Sequence, residues 1–168
     1  MNLQELSKKI HSCRRCDLFK GATHAVPGEG PSDARVMLVG QNPGKKEDQT
    51  GRPFVGRSGT YLDKILDIYE IARDRLFITS VVKHITPDNR KPTQEEISAC
   101  LPFLLQQCDL IHPSVIVLMG QVAWQVPHEK EIHYVETYHP AAAMRFPDMG
   151  KKFKQDFQRV KQLIDEMK

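Results

Sequence analysis

Read from the N-terminus, the chain alternates between short unbroken apolar runs and longer stretches in which apolar residues recur every three or four positions. Residues 35–39, 76–82 and 114–119 read as strands, with 36–39 and 115–119 apolar throughout and Thr79 and Ser80 interrupting the second. Continuous apolar character over so few residues marks strands buried on both faces, as in a parallel sheet. Residues 58–69 are of the second kind, with Leu62, Ile65, Leu66 and Tyr69 on one helical face. A short amphipathic helix over Leu3–His11 opens the chain. Thr93 and Glu96 have the spacing of a capping box and start a helix through Ile97, Leu101, Leu104 and Leu105. Another helix starts at Gly120, residues 132–137 form the last strand, and Phe153, Phe157, Val160 and Ile164 place a helix at the end. Residues 41–56, punctuated by glycine and proline, read as a loop. Helix, then strand and helix repeated, predicts an α/β fold over a single domain, residues 1–168. It has three layers, α/β/α, around a central four-stranded, largely parallel sheet.

Composition narrows this only a little. The 168 residues suffice for a real core, and 40% hydrophobic with 27% charged residues is ordinary for a globule. No apolar run approaches the length of a membrane span, and the first residues lack the continuous apolar stretch of a signal peptide, so a cytoplasmic protein is expected. The net charge is +3. Lys8, Lys9, Arg14, Arg15 and Lys20 cluster near the first cysteines, and Lys151, Lys152 and Lys154 near the end. Such clusters make either a surface that tracks phosphates or a solvated face.

The candidate chemistry begins where the first strand stops. Gly40-Gln41-Asn42-Pro43-Gly44 puts amides at the carboxyl end of a buried strand, where open α/β sheets bind ligands. With Phe54 framed by glycine and proline and His139 after the last strand, this turn suggests a pocket for a flat, hydrogen-bonding molecule such as a nucleobase. Neither GxGxxG nor GxxxxGK[ST] occurs, which argues against a nucleotide-binding domain. Four cysteines in a chain of this kind point to metal or redox use. Cys13 and Cys16 form a CxxC pair that suits zinc, an iron–sulfur cluster or a dithiol, with Cys100, Cys108 and His84 as candidate further ligands. Cys108, in an apolar helical stretch, reads better as a small buried hydrophobe.

These residues resemble the family 4 uracil-DNA glycosylases, the iron–sulfur members of their superfamily. The resemblance runs from Cys13 to about Arg145. It is carried by Cys13-x-x-Cys16, Gly28-Glu29-Gly30-Pro31, Val39-Gly40-x-x-Pro43-Gly44 with Glu47 and Asp48, and Gly51-Arg52-Pro53-Phe54-Val55-Gly56. It continues through Val82-Lys83, Asn89-Arg90, Cys100, Pro113, Gly120 and Tyr138-His139-Pro140-Ala141-Ala142. The resemblance implies a four-stranded parallel sheet between helices, a 4Fe-4S cluster and removal of uracil from DNA. The chain also departs from the family. His84 stands where a third Cys is usual, at the family-like interval before Cys100, which implies a site of Cys13, Cys16, His84 and Cys100; imidazole ligation of iron clusters has precedent. Gln41 replaces a Glu, and Asn42 follows it as in the mismatch-directed glycosylases. Ser80 replaces the Asn that pairs with the uracil edge. Only residues 121–138 separate Gly120 from His139, too few for a hairpin usual in the family.

The implied roles follow from what base hydrolysis needs: an extruded base, charge stabilised on the departing base, and water behind the sugar carbon. Phe54 stacks on the base, and main-chain amides at Gly40 and Gln41 bond a base carbonyl. Ser80 meets the base edge, and His139 donates to the oxygen that becomes anionic. Asn42 holds the water without deprotonating it. Glu47 either assists or only caps the following turn. Met144 is an apolar wedge and Arg145 a phosphate contact. No motif lysine suits Schiff-base chemistry, so a monofunctional glycosylase is expected, acting as a monomer on DNA containing uracil or another deaminated base. The alternative is an iron–sulfur nucleic-acid-binding module of the same fold with lost or altered catalysis.

Overall fold

The computed structural model describes residues 1–167. Four strands, β1 (Val36–Gly40), β2 (Leu76–Ser80), β3 (Val115–Met119) and β4 (His133–Thr137), form one sheet in the order β2-β1-β3-β4. Every pairing is parallel, with Val36 opposite both Leu76 and Val115 and with Val115 opposite His133. The expected architecture is therefore observed.

β1, β2 and β3 are buried at every position, whereas β4, at an edge, is buried only at alternate ones. Successive strand residues point to opposite faces, and here they feed two separate cores. Met37, Val39, Phe77, Ile116 and Leu118 join Leu6, Ile10 and Leu104 on one face. Leu38, Ile78 and Val117 join Leu62, Ile65, Phe153 and Phe157 on the other. Two-sided burial is why these strands are so largely apolar in the sequence, Thr79 and Ser80 being the buried polar exceptions.

The helices are α1 (Leu3–His11), α2 (Lys45–Thr50), α3 (Arg57–Ile68), α4 (Gln94–Ile111), α5 (Gln121–Trp124), α6 (Pro140–Arg145) and α7 (Pro147–Glu166). The capping box of α4 is present: Thr93 Oγ1 accepts from Glu96 N–H at 3.2 Å and Glu96 Oε1 from Thr93 N–H at 2.9 Å. Two elements differ from expectation. Residues 41–56 are not a continuous loop, because α2 forms within them, with Gly44 as N-cap and Glu47 folded back onto its N–H at 3.0 Å. The chain after β4 makes α6 before α7, with His139 as the N-cap of α6. Both helices are short and capped locally, so neither shows a hydrophobic period. Among the described residues no helix is long and apolar enough to cross a membrane.

β1 leads to β2 on one side and the chain later returns to β3 on the other, so the strand order reverses beside β1. In open α/β sheets a crevice opens there at the carboxyl ends of the strands.

Candidate active site

At those ends lies a cavity of about 330 Å³, within the range of small-molecule sites. Its wall includes Gln41, Asn42, Glu47, Phe54, Ser80 and His139. Residues far apart in the chain thus converge as expected, because β1, β2 and β4 end at the same rim.

Gly40 lies against the Phe54 ring: a Cβ there would sit 2.5 Å from it. Its carbonyl accepts from Val81 N–H and that of Gln41 from Val82 N–H, each at 3.0 Å, tying the turn to the segment after β2. Gly40 therefore makes room for the aromatic ring.

Phe54 is buried, 8% exposed, on the edge of the second core and on the cavity wall. Its backbone has φ +48, in the left-handed region, a conformation costing a non-glycine residue on the order of 1–2 kcal/mol. Its ring centroid is 5.8 Å from that of His139.

His139 has a defined hydrogen-bonding state. Ala141 N–H donates to His139 Nδ1 at 3.1 Å, so the proton of the neutral ring belongs on Nε2. Burial pulls its pKa down to about 4, against the opposing charge of Glu47. Near neutral pH the ring is an uncharged Nε2–H donor.

The remaining polar groups are mostly committed. Glu47 Oε1 accepts from Gly44 N–H, and Oε2 accepts from Val55 and Gly56 N–H at 2.8 and 2.7 Å. This is the capping alternative, extended to a clamp on the Phe54 loop. Gln41 Nε2 donates to Asn42 Oδ1 at 2.9 Å. Asn42 Nδ2 donates to Pro43 O at 2.9 Å and Asn89 Oδ1 at 3.4 Å, so the Asn42 amide is oriented, with one Oδ1 lone pair left. Ser80 Oγ–H donates to Val82 O at 2.6 Å. Val82 O can only accept, so Ser80 presents an acceptor to the cavity and does not rotate freely between roles.

Met144 and Arg145, on α6, lie outside this cavity, along an adjoining groove with Lys45, Lys46 and Arg57. Met144 is 41% and Phe146 46% exposed, unusual for large apolar side chains. This rim is cationic and apolar at once.

Three residues were given no role from the sequence: Lys83 and Asn89 appeared only within motifs, and Arg73 not at all. Lys83 is fully buried; its Nζ donates to Thr79 Oγ1, Ser80 O and Gln107 Oε1 at 2.6, 2.6 and 2.8 Å. It braces the cavity floor from behind, and burial lowers its pKa to about 8. Asn89, after Asp88 and likewise at positive φ, reaches the wall beside Asn42; Asn is among the residues that tolerate that region best. Arg73 reaches the Phe54 turn through its guanidinium.

At the other side of the loop after β2, Cys13, Cys16 and Cys100 share one region. Cys13 and Cys16 pack against the core that contains Cys100, and Cys100 feels the charge of both. His84, buried, lines a hollow of about 230 Å³ with Cys13. Arg15 N–H points to Cys13 Sγ at 3.5 Å and Lys83 N–H to Cys100 Sγ at 3.3 Å. Cys108 instead contacts Met37 Sδ at 4.0 Å in the core. Burial raises the Cys16 thiol and pushes Cys100 up to about 11, so thiolates here need a compensating cation. Among the described residues no three His, Cys, Asp or Glu side chains close on a point where one ion would sit. Tetrahedral zinc, with Zn–S about 2.3 Å, would need its sulfurs only ~4 Å apart. A cluster binds one ligand at each of several irons and spaces them more widely. Three thiols, an imidazole and N–H donors to sulfur are a donor set of the kind that iron–sulfur clusters take.

Comparison with known proteins agrees with this architecture. Residues 27–164 match the family described as "Uracil DNA glycosylase superfamily". A protein of Sulfurisphaera tokodaii named type-4 uracil-DNA glycosylase is 38% identical over 96% of this chain and 84% of its own length. One of the same name from Pyrobaculum aerophilum is 38% identical over 93% and 91% respectively. Another, from Thermotoga maritima, is 45% identical over 72% of this chain and 63% of its own.

Proposed function

The chain belongs to the uracil-DNA glycosylase superfamily, and we infer from this that it hydrolyses the N-glycosidic bond of uracil in DNA, initiating base excision repair. The observation that carries the reading is the cavity itself, with an aromatic face and a neutral imidazole donor at the carboxyl ends of a parallel sheet. Relatives over most of the chain carry the name of this enzyme. A module without catalysis is not favoured.

In the proposed reaction the flipped base stacks on Phe54, which gives affinity that does not depend on base identity. Ser80 offers an acceptor to an N–H on the base edge, and Gln41 lies beside it on the wall. His139 donates from Nε2 to the base oxygen on which negative charge grows as the bond lengthens. A neutral donor loses no proton there and stabilises charge through a preformed hydrogen bond. Asn42, its amide fixed by Gln41 and Asn89, orients water toward the sugar carbon. It is no base, so the water attacks a sugar already cation-like, and its proton passes afterwards to the departed base anion or to solvent. Glu47 acts by holding the Gly44 and Val55–Gly56 amides, and so keeps Asn42 and Phe54 in place. Met144 enters the duplex where the base has left, and Arg145 meets a phosphate. The enzyme leaves an abasic site; it works as a monomer on DNA in the prokaryotic cytosol, and deaminated purines are additional candidate substrates.

Cys13, Cys16, His84 and Cys100 would hold a 4Fe-4S cluster, as the type-4 name of the relatives suggests. Bound there, it would join the N-terminal segment to the loop after β2 and take no part in hydrolysis.

The test is incubation with duplexes carrying a single uracil, followed by alkali. Strand scission at the uracil, reduced in His139→Ala, is the expected result. A correctly folded, iron-loaded protein that produces no alkali-labile site would overturn the reading.

A further inference from the structure

The Phe54 turn is held in an unfavourable backbone conformation from outside the cavity. One planar group binds two consecutive carbonyls of that turn. Arg73, in the short helical turn before β2, donates from Nη1 to Phe54 O at 3.0 Å and from Nη2 to Pro53 O at 2.7 Å. Nη1 also donates to Asp63 Oδ1 on α3 at 2.7 Å. The side chain is largely sheltered, at 23% exposure, and Arg73 is not on the cavity wall. Gly59, in the first turn of α3, lets the helix press on the same carbonyl: a Cβ there would lie 1.9 Å from Phe54 O. On the far side, Glu47 grips Val55 and Gly56 N–H. The Phe54 peptide is thus bracketed by a cation on its carbonyls and a carboxylate on the amides that follow.

We propose that Arg73, oriented by Asp63, is a positioning residue that holds Phe54 in its left-handed conformation and so presents the ring as the stacking face of the cavity. The role requires arginine. Two carbonyls and a carboxylate on different elements are met by one rigid fork, whereas a lysine ammonium is a single point on a flexible stem. Without the fork, two sheltered carbonyls must seek water and the φ +48 backbone loses the restraint on its carbonyl side. The ring would then leave the position over Gly40. The inference rests on the glycosylase reading only for its functional consequence; the restraint itself belongs to the free protein.

The test has two arms on the iron-loaded protein. In the first, each protein is labelled with 4-fluorophenylalanine, and the Phe54 line is identified as the one missing from F54A. R73M should shift or broaden that line while the other fluorine lines stay in place. In the second, single-turnover excision is followed against enzyme concentration. R73M should raise the half-saturating concentration on the order of tenfold, the scale of one lost base–aromatic stack, and R73K should restore little of it. The double variant F54A/R73M should be no worse than F54A, because the latch has nothing left to hold. An unmoved Phe54 line in folded R73M, or losses in the double variant that multiply, would overturn the proposal. If R73M does not fold, D63N and R73K take its place, and an unmoved line in both overturns it equally. A parent protein that excises no uracil would defeat the glycosylase reading and leave the fluorine comparison to judge the latch.

Discussion

His139→Ala removes one hydrogen-bond donor from the point where charge develops, and the structure allows its cost to be worked out. The imidazole is neutral near pH 7 and its Nδ1 is occupied by Ala141 N–H, so Nε2–H is set before the base arrives. Loss of one such preorganised donor costs about 2.7–4 kcal/mol in the chemical step, or roughly 10²–10³ in rate. The same substitution strips α6 of its N-cap, worth about 0.5–2 kcal/mol of stability, so a rate loss alone would be ambiguous. His139→Asn separates the two effects: Asn is a good N-cap but too short to reach the base oxygen, so stability should return while the rate stays low. The assay is single-turnover cleavage of a uracil duplex at saturating enzyme, beside binding of a non-cleavable uracil analogue and thermal unfolding. Binding should change little, since the charge exists mainly in the transition state. The pH dependence has a definite sign. The folded pKa, about 4, lies below the ordinary 6.5, so the unfolded chain binds the proton more readily. The cost to stability is absent above about pH 6.5 and grows as pH falls toward 4, to about 3 kcal/mol at most. Cleavage should be flat from pH 8 to about pH 5. Activity within threefold of the parent in His139→Ala, or a loss matched by weaker binding, would refute the assignment.

Anaerobically purified protein should be brown and carry iron; Cys100→Ser should lose both, His84→Cys should keep the colour with a shifted potential, and stoichiometric zinc would contradict the cluster. Ser80→Asn restores a side chain with both donor and acceptor, so rates on uracil relative to hypoxanthine and xanthine duplexes should rise; an unchanged profile would remove Ser80 from the base edge. Lys83→Met should leave Thr79 Oγ1, Ser80 O and Gln107 Oε1 short of a donor and destabilise the protein by about 1–3 kcal/mol, read by denaturant unfolding; full stability would mean that water or repacking satisfies them.

The sheet, its parallel sense and its three layers were legible in the sequence because apolar runs and helical periods are local patterns that burial imposes along the chain. The grouping of Gln41, Asn42, Phe54 and His139 was suggested by their places after buried strands, and Ser80 joined them only through the resemblance, since no local signal links positions so far apart. α2 and α6 escaped because KKEDQT and PAAAMR are single short segments held by end caps, with too few turns for an apolar stripe to repeat. The roles of individual polar groups were decided by tertiary structure. Glu47 became a clamp when three amides came within its reach, and Ser80 an acceptor when Val82 O took its proton. Gly40 proved to be space for a ring that sits fourteen residues further on. Lys83 and Arg73 carry no motif for bracing a site, because their partners, such as Gln107 and the Pro53 carbonyl, are supplied by other elements. Hydrophobic burial is non-directional and is written along the chain as composition and period. A hydrogen bond depends on distances of tenths of an ångström and on which atom already holds the proton, and those are set only once the elements have packed.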